Sequence, residues 1–206
     1  MNTQNESHAS VVARIREGTL LLDSREAYER LLERYPQKAS LRRAFGDFLA
    51  KKGDQPNAIK TYERASKIYL ETGRSLQAIV ATILAWSITK PTHDQGRVFH
   101  TAVQAAIKAE TPLQSFFAAL SYPELVAVML RLVRMQYPAN YAIKKFGDRA
   151  NELFFIVSGK LKETTYLSTG EDATDHQASV RHLSDNDIFG DVYPLTVENA
   201  SRSDVA

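Results

Sequence analysis

The sequence predicts a two-domain α+β protein, with antiparallel helical hairpins in the first half and an antiparallel β-barrel or sandwich in the second. Apolar residues recur at helical spacing as far as about residue 110. A continuous apolar run, short β-prone stretches and turns follow from residue 153. The charge also divides near residue 110: residues 1–110 carry 17 Lys/Arg and 12 Asp/Glu, whereas residues 111–206 carry 9 Lys/Arg and 12 Asp/Glu.

The helical half is expected to begin at residue 19, after a frayed N-terminus over residues 1–18. Five apolar stripes lie between there and residue 110, and Pro36, Gly53 and Gly73 end three of them. Their similar lengths and short connections predict antiparallel helical hairpins. Two further helices, from about residues 112 and 123, are expected before the strands begin.

The composition excludes several classes of protein. The 206 residues include no cysteine, which excludes disulfide scaffolds, thiolate zinc sites, iron–sulfur clusters and cysteine nucleophiles. The net charge of +2 gives no general attraction to nucleic acid or to anionic membrane. No apolar run approaches the roughly 20 residues of a membrane helix, and the polar first ten residues lack the apolar segment of a secretory signal. We therefore expect a cytoplasmic protein with no membrane partner.

One helical segment carries a more specific pattern. Gly46, Gly53, Ala58, Tyr62 and Ala65 match the tetratricopeptide signature in order and spacing. In that signature small residues permit close packing of paired helices, and the aromatic residue fills the groove between them. The helical domain, residues 19–110, therefore resembles a tetratricopeptide-like α-solenoid.

This resemblance implies a groove for a protein partner. The residues singled out for partner binding are Arg42, Phe45 and Tyr62. The basic residues around Arg42 are more typical of a solvated helix face than of a nucleic-acid surface, because no aromatic residues are interleaved with them. A helical bundle that packs on the second half, or on another copy to form a homo-oligomer, remains the alternative.

The second half, residues 111–206, contains four short motifs in a fixed order. These are residues 146–148 (FGD), the apolar run and Ser-Gly turn at 153–159, residues 187–191 (DIFGD), and the Arg-Ser pair at 202–203. In this order and at these distances they resemble the cyclic-nucleotide-binding domain. The resemblance implies a jelly-roll β-barrel with flanking helices, and cyclic AMP or cyclic GMP as the ligand.

The resemblance also implies a phosphate-binding cassette. Arg202 would hold the cyclic phosphate through two parallel N–H groups, and Ser203 would complete the cradle. Gly190 would let the backbone approach the sugar, and Asp191 would accept a hydrogen bond from the ribose 2′-hydroxyl. The predicted ligand-binding residues are Phe189, Gly190, Asp191, Val192, Arg202 and Ser203.

Departures from the family pattern support an alternative. Asp191 stands where the family usually has Glu, while Tyr193 and Pro194 stand where it has a small residue and Leu. The family continues beyond the cassette with two strands and a closing helix, so we expect a domain truncated at Ala206. The alternative is a degenerate domain without a nucleotide, acting as a protein–protein interaction scaffold.

Enzymatic chemistry is not predicted. The five histidines form no metal-spaced pair, and no nucleophile motif occurs. We expect no cofactor, no metal and no DNA-binding domain, since no helix-turn-helix follows the cassette. The first prediction of function is a regulatory protein that senses a cyclic nucleotide and signals through its helical domain.

Overall fold

The computed structural model describes residues 22–145, 147–148, 151–168, 176–190 and 202–205. The chain divides into two compact units. The first, called the helical unit below, comprises Met1–Lys108 and Phe117–Leu132, and the second comprises Ala109–Phe116 and Val133–Ala206. The frayed N-terminus predicted for residues 1–18 lies outside the described residues.

Seven α-helices lie within the described residues. They are α1 Arg25–Arg34, α2 Ala39–Lys51, α3 Gln55–Glu71, α4 Ser75–Ile88, α5 His93–Ala106, α6 Pro112–Ala119 and α7 Tyr122–Met129. None of the helices described is both long enough and apolar enough to cross a membrane.

Local sequence fixes where these helices begin and end. The Ser24 hydroxyl caps the start of α1, and Thr92 forms a capping box with Gln95 at the start of α5. Gly53 and Gly73 follow α2 and α3 with φ of +82° and +69°, which is the left-handed conformation that ends a helix most readily at glycine. These stops set the short connections of the hairpins.

The core of the helical unit is built on α4, which packs against α3. Nine of its 14 residues are buried, so this helix is apolar around most of its circumference. The buried Thr82 of α4 is paired with Ser66 of α3: their hydroxyl oxygens are 2.8 Å apart, and Ser66 also donates to the Ala78 carbonyl at 3.1 Å. Pairing removes most of the penalty for burying these hydroxyls.

Helices α2 and α3 approach each other closely at Gly46. A Cβ added at Gly46 would lie 2.5 and 2.6 Å from two ring carbons of Tyr62. The Tyr62 ring is 2% exposed, and its hydroxyl donates to Asp47 Oδ1 at 2.8 Å. The close packing predicted for Gly46 and Tyr62 is therefore confirmed, although it does not test the family resemblance.

Among the described residues of the second unit, six strands form two antiparallel sheets. The strands are β1 Ala142–Lys144, β2 Phe154–Phe155, β3 Lys160–Ser168, β4 His176–Ser184, β5 Ile188–Phe189 and β6 Arg202–Val205. The order in the larger sheet is β1-β6-β3-β4, and β2 pairs with β5 in the smaller one. The longest pairing joins β3 to β4 over nine residues, in the register Leu161 opposite Leu183. These two leucines are buried with Phe189.

The predicted fold class is wrong, because no jelly-roll barrel is present in the part of the chain that the structure describes. A barrel closes only when its outermost strands pair with each other. Here β1 and β4 are the two edges of the larger sheet, and each pairs with one neighbour. The apolar run that favoured a long buried strand contributes only Phe154 and Phe155 to a sheet, and Leu153 is 52% exposed.

Candidate functional site

Two of the residues predicted to bind a nucleotide lie at the smaller sheet. Phe189 in β5 stacks on Phe154 in β2, with ring centroids 4.7 Å apart. Gly190 follows with φ of +98°, and a Cβ at this position would collide with the Glu152 carbonyl oxygen and lie 3.2 Å from the Phe154 ring. The backbone conformation of Gly190 therefore has a packing reason within the unit itself.

The other two described residues of the predicted cassette lie in the larger sheet. Arg202 and Ser203 belong to β6, where they lie opposite Thr165 and Thr164 of β3. Their backbone is part of an antiparallel ladder. Asp191 and Val192 lie outside the described residues. The structure thus distributes the described cassette residues over two sheets.

The three residues predicted to bind a partner lie in α2 and α3. Phe45 and Tyr62 are 7% and 2% exposed and belong to the core. Phe45 stacks on Tyr28 of α1, with ring centroids 5.2 Å apart. Buried aromatic rings offer no surface to a partner, so an interface here depends on Arg42, which is half-buried.

Arg42 is a cation without a carboxylate neighbour in the described part of the chain. Its Nη2 donates to the Pro36 carbonyl at 3.0 Å, and its Nε is buried with no hydrogen-bond partner among the described residues. Burial, and then repulsion by Arg64 of α3, lower the pKa of the Arg42 guanidinium below its usual value. The group is therefore partly desolvated and lies beside a like charge.

An exposed basic stripe lies on α3, and one of its members, Arg64, is near enough to Arg42 to repel it. Lys60, Arg64 and Lys67 are spaced so that they share one face of the helix, and all three are exposed. None of them forms an ion pair with another described residue, whereas Arg25 pairs with Glu29 and Asp54. We call Arg42, Lys60, Arg64 and Lys67 the basic face.

The basic face belongs to a segment with a local surplus of positive charge. Residues 38–74 contain nine Lys/Arg and four Asp/Glu. Arg42 was predicted from the sequence, whereas the stripe on α3 was not. The sequence did contain a signal for it. Lys60, Arg64 and Lys67 are four and three residues apart, and a helix over this segment places them on one face.

A row of four charged residues crosses the larger sheet. Lys144 lies opposite Asp204, Asp204 opposite Glu163, and Glu163 opposite Arg181. Lys144 and Glu163 are each 3% exposed, and Arg181 approaches Glu163 to 3.8 Å. Two positive and two negative residues leave the row without net charge. It therefore offers less to an ionic ligand than the basic face does.

Other kinds of site find no support in the described part of the chain. Within it, no group of three or more His, Asp or Glu side chains could hold a metal ion. In the comparisons with known proteins, no family model, no curated protein and no solved structure matches this chain. The basic face is therefore the candidate site, and its geometry alone has to support a function.

Proposed function

We propose that this protein is a protein-interaction scaffold whose helical unit binds an acidic segment of a partner protein. The observation that carries the proposal is the basic face, a group of four cations with no carboxylate partner among the described residues. Complementary charge steers encounter between proteins and selects the correct partner. The cytoplasmic location expected from the sequence, and a partner of protein class, are parts of the same proposal.

An acidic protein segment fits this face better than a nucleic acid does. Single-stranded nucleic acids are held largely by stacking on aromatic rings. Of the four aromatic residues of α2 and α3, Phe45, Tyr62 and Tyr69 are buried, and the half-buried Phe48 packs against the rings of Tyr28 and Phe45. Little aromatic surface is therefore available for stacking. Exposed Glu63 and Glu71 also interrupt the basic stripe. They would repel a uniformly charged phosphate backbone, whereas a peptide can space its acidic residues to avoid them.

Reversing the charge of the α3 stripe tests this proposal. We expect the triple variant K60E/R64E/K67E to bind a short peptide of alternating glutamate and serine at least about tenfold more weakly than the unaltered protein. Each exposed ion pair is worth up to about 1 kcal/mol, and 1.4 kcal/mol is a factor of ten in affinity. Fluorescence anisotropy of the labelled peptide, at low and at moderate salt, measures the change.

The helical unit offers a matched control for this variant. Lys90, Arg97 and Lys108 are also exposed, so K90E/R97E/K108E changes the net charge by the same amount elsewhere on the unit. We expect this control to bind the peptide within about twofold of the unaltered protein, apart from a general charge effect that salt removes. Equal losses in both triple variants would contradict the proposal, as would tighter binding of single-stranded DNA of the same charge.

A cyclic nucleotide is not part of this proposal. The described strands do not form the jelly-roll fold that supported it, and Arg202 and Ser203 lie in a strand ladder. We expect no change in melting temperature with millimolar cyclic AMP or cyclic GMP. A ligand at one hundred times its dissociation constant would stabilise the protein by about 2.7 kcal/mol, a shift of several degrees. A shift of that size with either nucleotide would restore the sensor hypothesis.

A further inference from the structure

We infer that Arg42 and Arg64 form a two-arginine clamp that holds one carboxylate group of the acidic partner segment. The inference rests on the proposed function and names the contact through which the partner is anchored. Arg42 and Arg64 would contact the carboxylate directly, whereas Lys60 and Lys67 would contribute charge alone.

The geometry of the α2–α3 hairpin brings these two arginines to the same level. Gly46 contacts the Tyr62 ring, which fixes the register of the two helices. The helices run antiparallel, since only residues 52–54 connect them. Arg42 precedes Gly46 by four residues, or about 6 Å along the axis, and Arg64 follows Tyr62 by about 3 Å in the same direction. The two residues therefore differ by only about 3 Å along the helix axes. The Arg64 guanidinium is also near enough to that of Arg42 to repel it.

Arg42 is oriented before a ligand arrives. Its Nη2 is fixed at the surface by the 3.0 Å hydrogen bond to the Pro36 carbonyl, in the connection between α1 and α2. Its Nε is buried without an acceptor among the described residues, so part of the guanidinium has lost water and gained no partner. A cation in this state gains more from an added anion than a fully solvated cation does.

Two guanidinium groups match the chemistry of a carboxylate. Each group presents N–H donors in a planar fork, and a carboxylate carries two oxygens with about four acceptor sites. A carboxylate placed between them would add two attractions at short range, which together outweigh the repulsion between Arg42 and Arg64. Lysine carries the same charge but lacks the fork, so it reproduces the charge without the geometry.

Substitutions that keep the charge (Arg→Lys) and substitutions that remove it (Arg→Gln) distinguish this clamp from binding by overall charge alone. With the alternating glutamate–serine peptide as the probe, we expect R64Q and R42Q each to weaken binding about fivefold to tenfold. We expect R42K and R64K to weaken it at least about threefold although the charge is kept. The control R97Q removes one exposed positive charge from α5 and should stay within about twofold.

A double-mutant cycle measures the coupling between Arg42 and Arg64 in peptide binding. A purely structural role of either residue would not produce such a coupling. If the two arginines hold the same carboxylate, the loss in R42Q/R64Q will be smaller than the product of the single losses, because either single change already disables the clamp. Melting curves of each variant show whether Arg42 is also needed for folding through its bond to Pro36. R64Q keeps the test valid in that case, since Arg64 is exposed and makes no such bond.

The outcomes distinguish this inference from the proposed function. If K60E/R64E/K67E abolishes binding but R42K and R64K bind as the unaltered protein does, the face binds by charge alone and the clamp is wrong. If the triple reversal also has no effect, both fail. Much tighter binding of a phosphoserine peptide than of the glutamate peptide would overturn the assignment to carboxylate. Concentration-dependent mass in light scattering that is lost in R64Q would assign the face to a second copy of the chain.

Discussion

The Gly190→Ala variant is expected to lose about 2–4 kcal/mol of stability in the second unit, through two separable effects. A left-handed backbone disfavours any residue with a Cβ, and φ at Gly190 is +98°. The added Cβ would also collide with the Glu152 carbonyl oxygen, which is a backbone atom and cannot turn aside as a side chain can. The β2–β5 pairing joins Phe154 to Phe189, next to this contact. Separating Gly190 from Glu152 should therefore also break the hydrogen bonds between the two strands.

Hydrogen exchange measures this loss where it is expected. The Ile156 amide donates to the Asp187 carbonyl at 3.0 Å, and the Asn186 amide donates to the Ile156 carbonyl at 2.8 Å. Both amides should exchange faster in Gly190→Ala, because they extend the β2–β5 pairing. Fluorescence of the single tryptophan, Trp86, follows the helical unit in the same sample and should change little.

Gly147 supplies a matched control for the two effects. Its φ is +89°, close to that of Gly190, but a Cβ placed there would meet no atom within 4 Å. Gly147→Ala therefore reports the cost of the backbone conformation alone, about 1–2 kcal/mol. If Gly190→Ala is no more destabilising than Gly147→Ala, the close approach of Glu152 is not a real constraint.

The helices could be predicted from the sequence because their signals are local. Apolar periodicity is written into each segment, and Gly53 and Gly73 mark the ends of α2 and α3. The packing of Gly46 against Tyr62 was also predictable, since a small residue and an aromatic residue recur at a spacing typical of paired helices. None of these inferences needs knowledge of a distant contact.

The sheets could not be predicted in the same way, because their pairing is not local. β1 pairs with β6, which brings Ala142 opposite Val205, and no pattern within either segment indicates that partner. The apolar run at residues 153–157 looked like one buried strand, yet its length says nothing about which strand lies beside it. A resemblance in short motifs then supplied a barrel topology that the described strands do not have.

The candidate site shows the same limit. An aromatic stripe on a helix looks alike in sequence whether it lines a groove or fills a core, and Phe45 and Tyr62 fill the core. Arg64 was not predicted as a site residue for a related reason: exposed arginines are common on helices, so one alone does not indicate a binding site. Its interest comes from its proximity to Arg42, which depends on how α2 and α3 pack.

The Gly46→Ala variant is expected to destabilise the helical unit by about 1–3 kcal/mol, although helix propensity alone favours the change by about 1 kcal/mol. The new methyl group would lie 2.5–2.6 Å from ring carbons of Tyr62. That ring has little room to move, since it is buried and its hydroxyl is bonded to Asp47. Urea unfolding followed by Trp86 fluorescence measures the difference in the free energy of unfolding.

Making Gly46→Ala in a protein that lacks the Tyr62 ring tests whether the collision with this ring causes the loss of stability. In a Tyr62→Leu protein the ring is absent, so adding Gly46→Ala should cost little or even stabilise the helix, as propensity predicts. Lys51→Ala, an exposed change in the same helix, should stay within about 0.5 kcal/mol of the unaltered protein. If Gly46→Ala stabilises the unaltered protein, α2 and α3 do not approach as closely as described. The register that places Arg42 beside Arg64 would then be lost as well, so this one substitution also tests the geometry on which the proposed clamp depends.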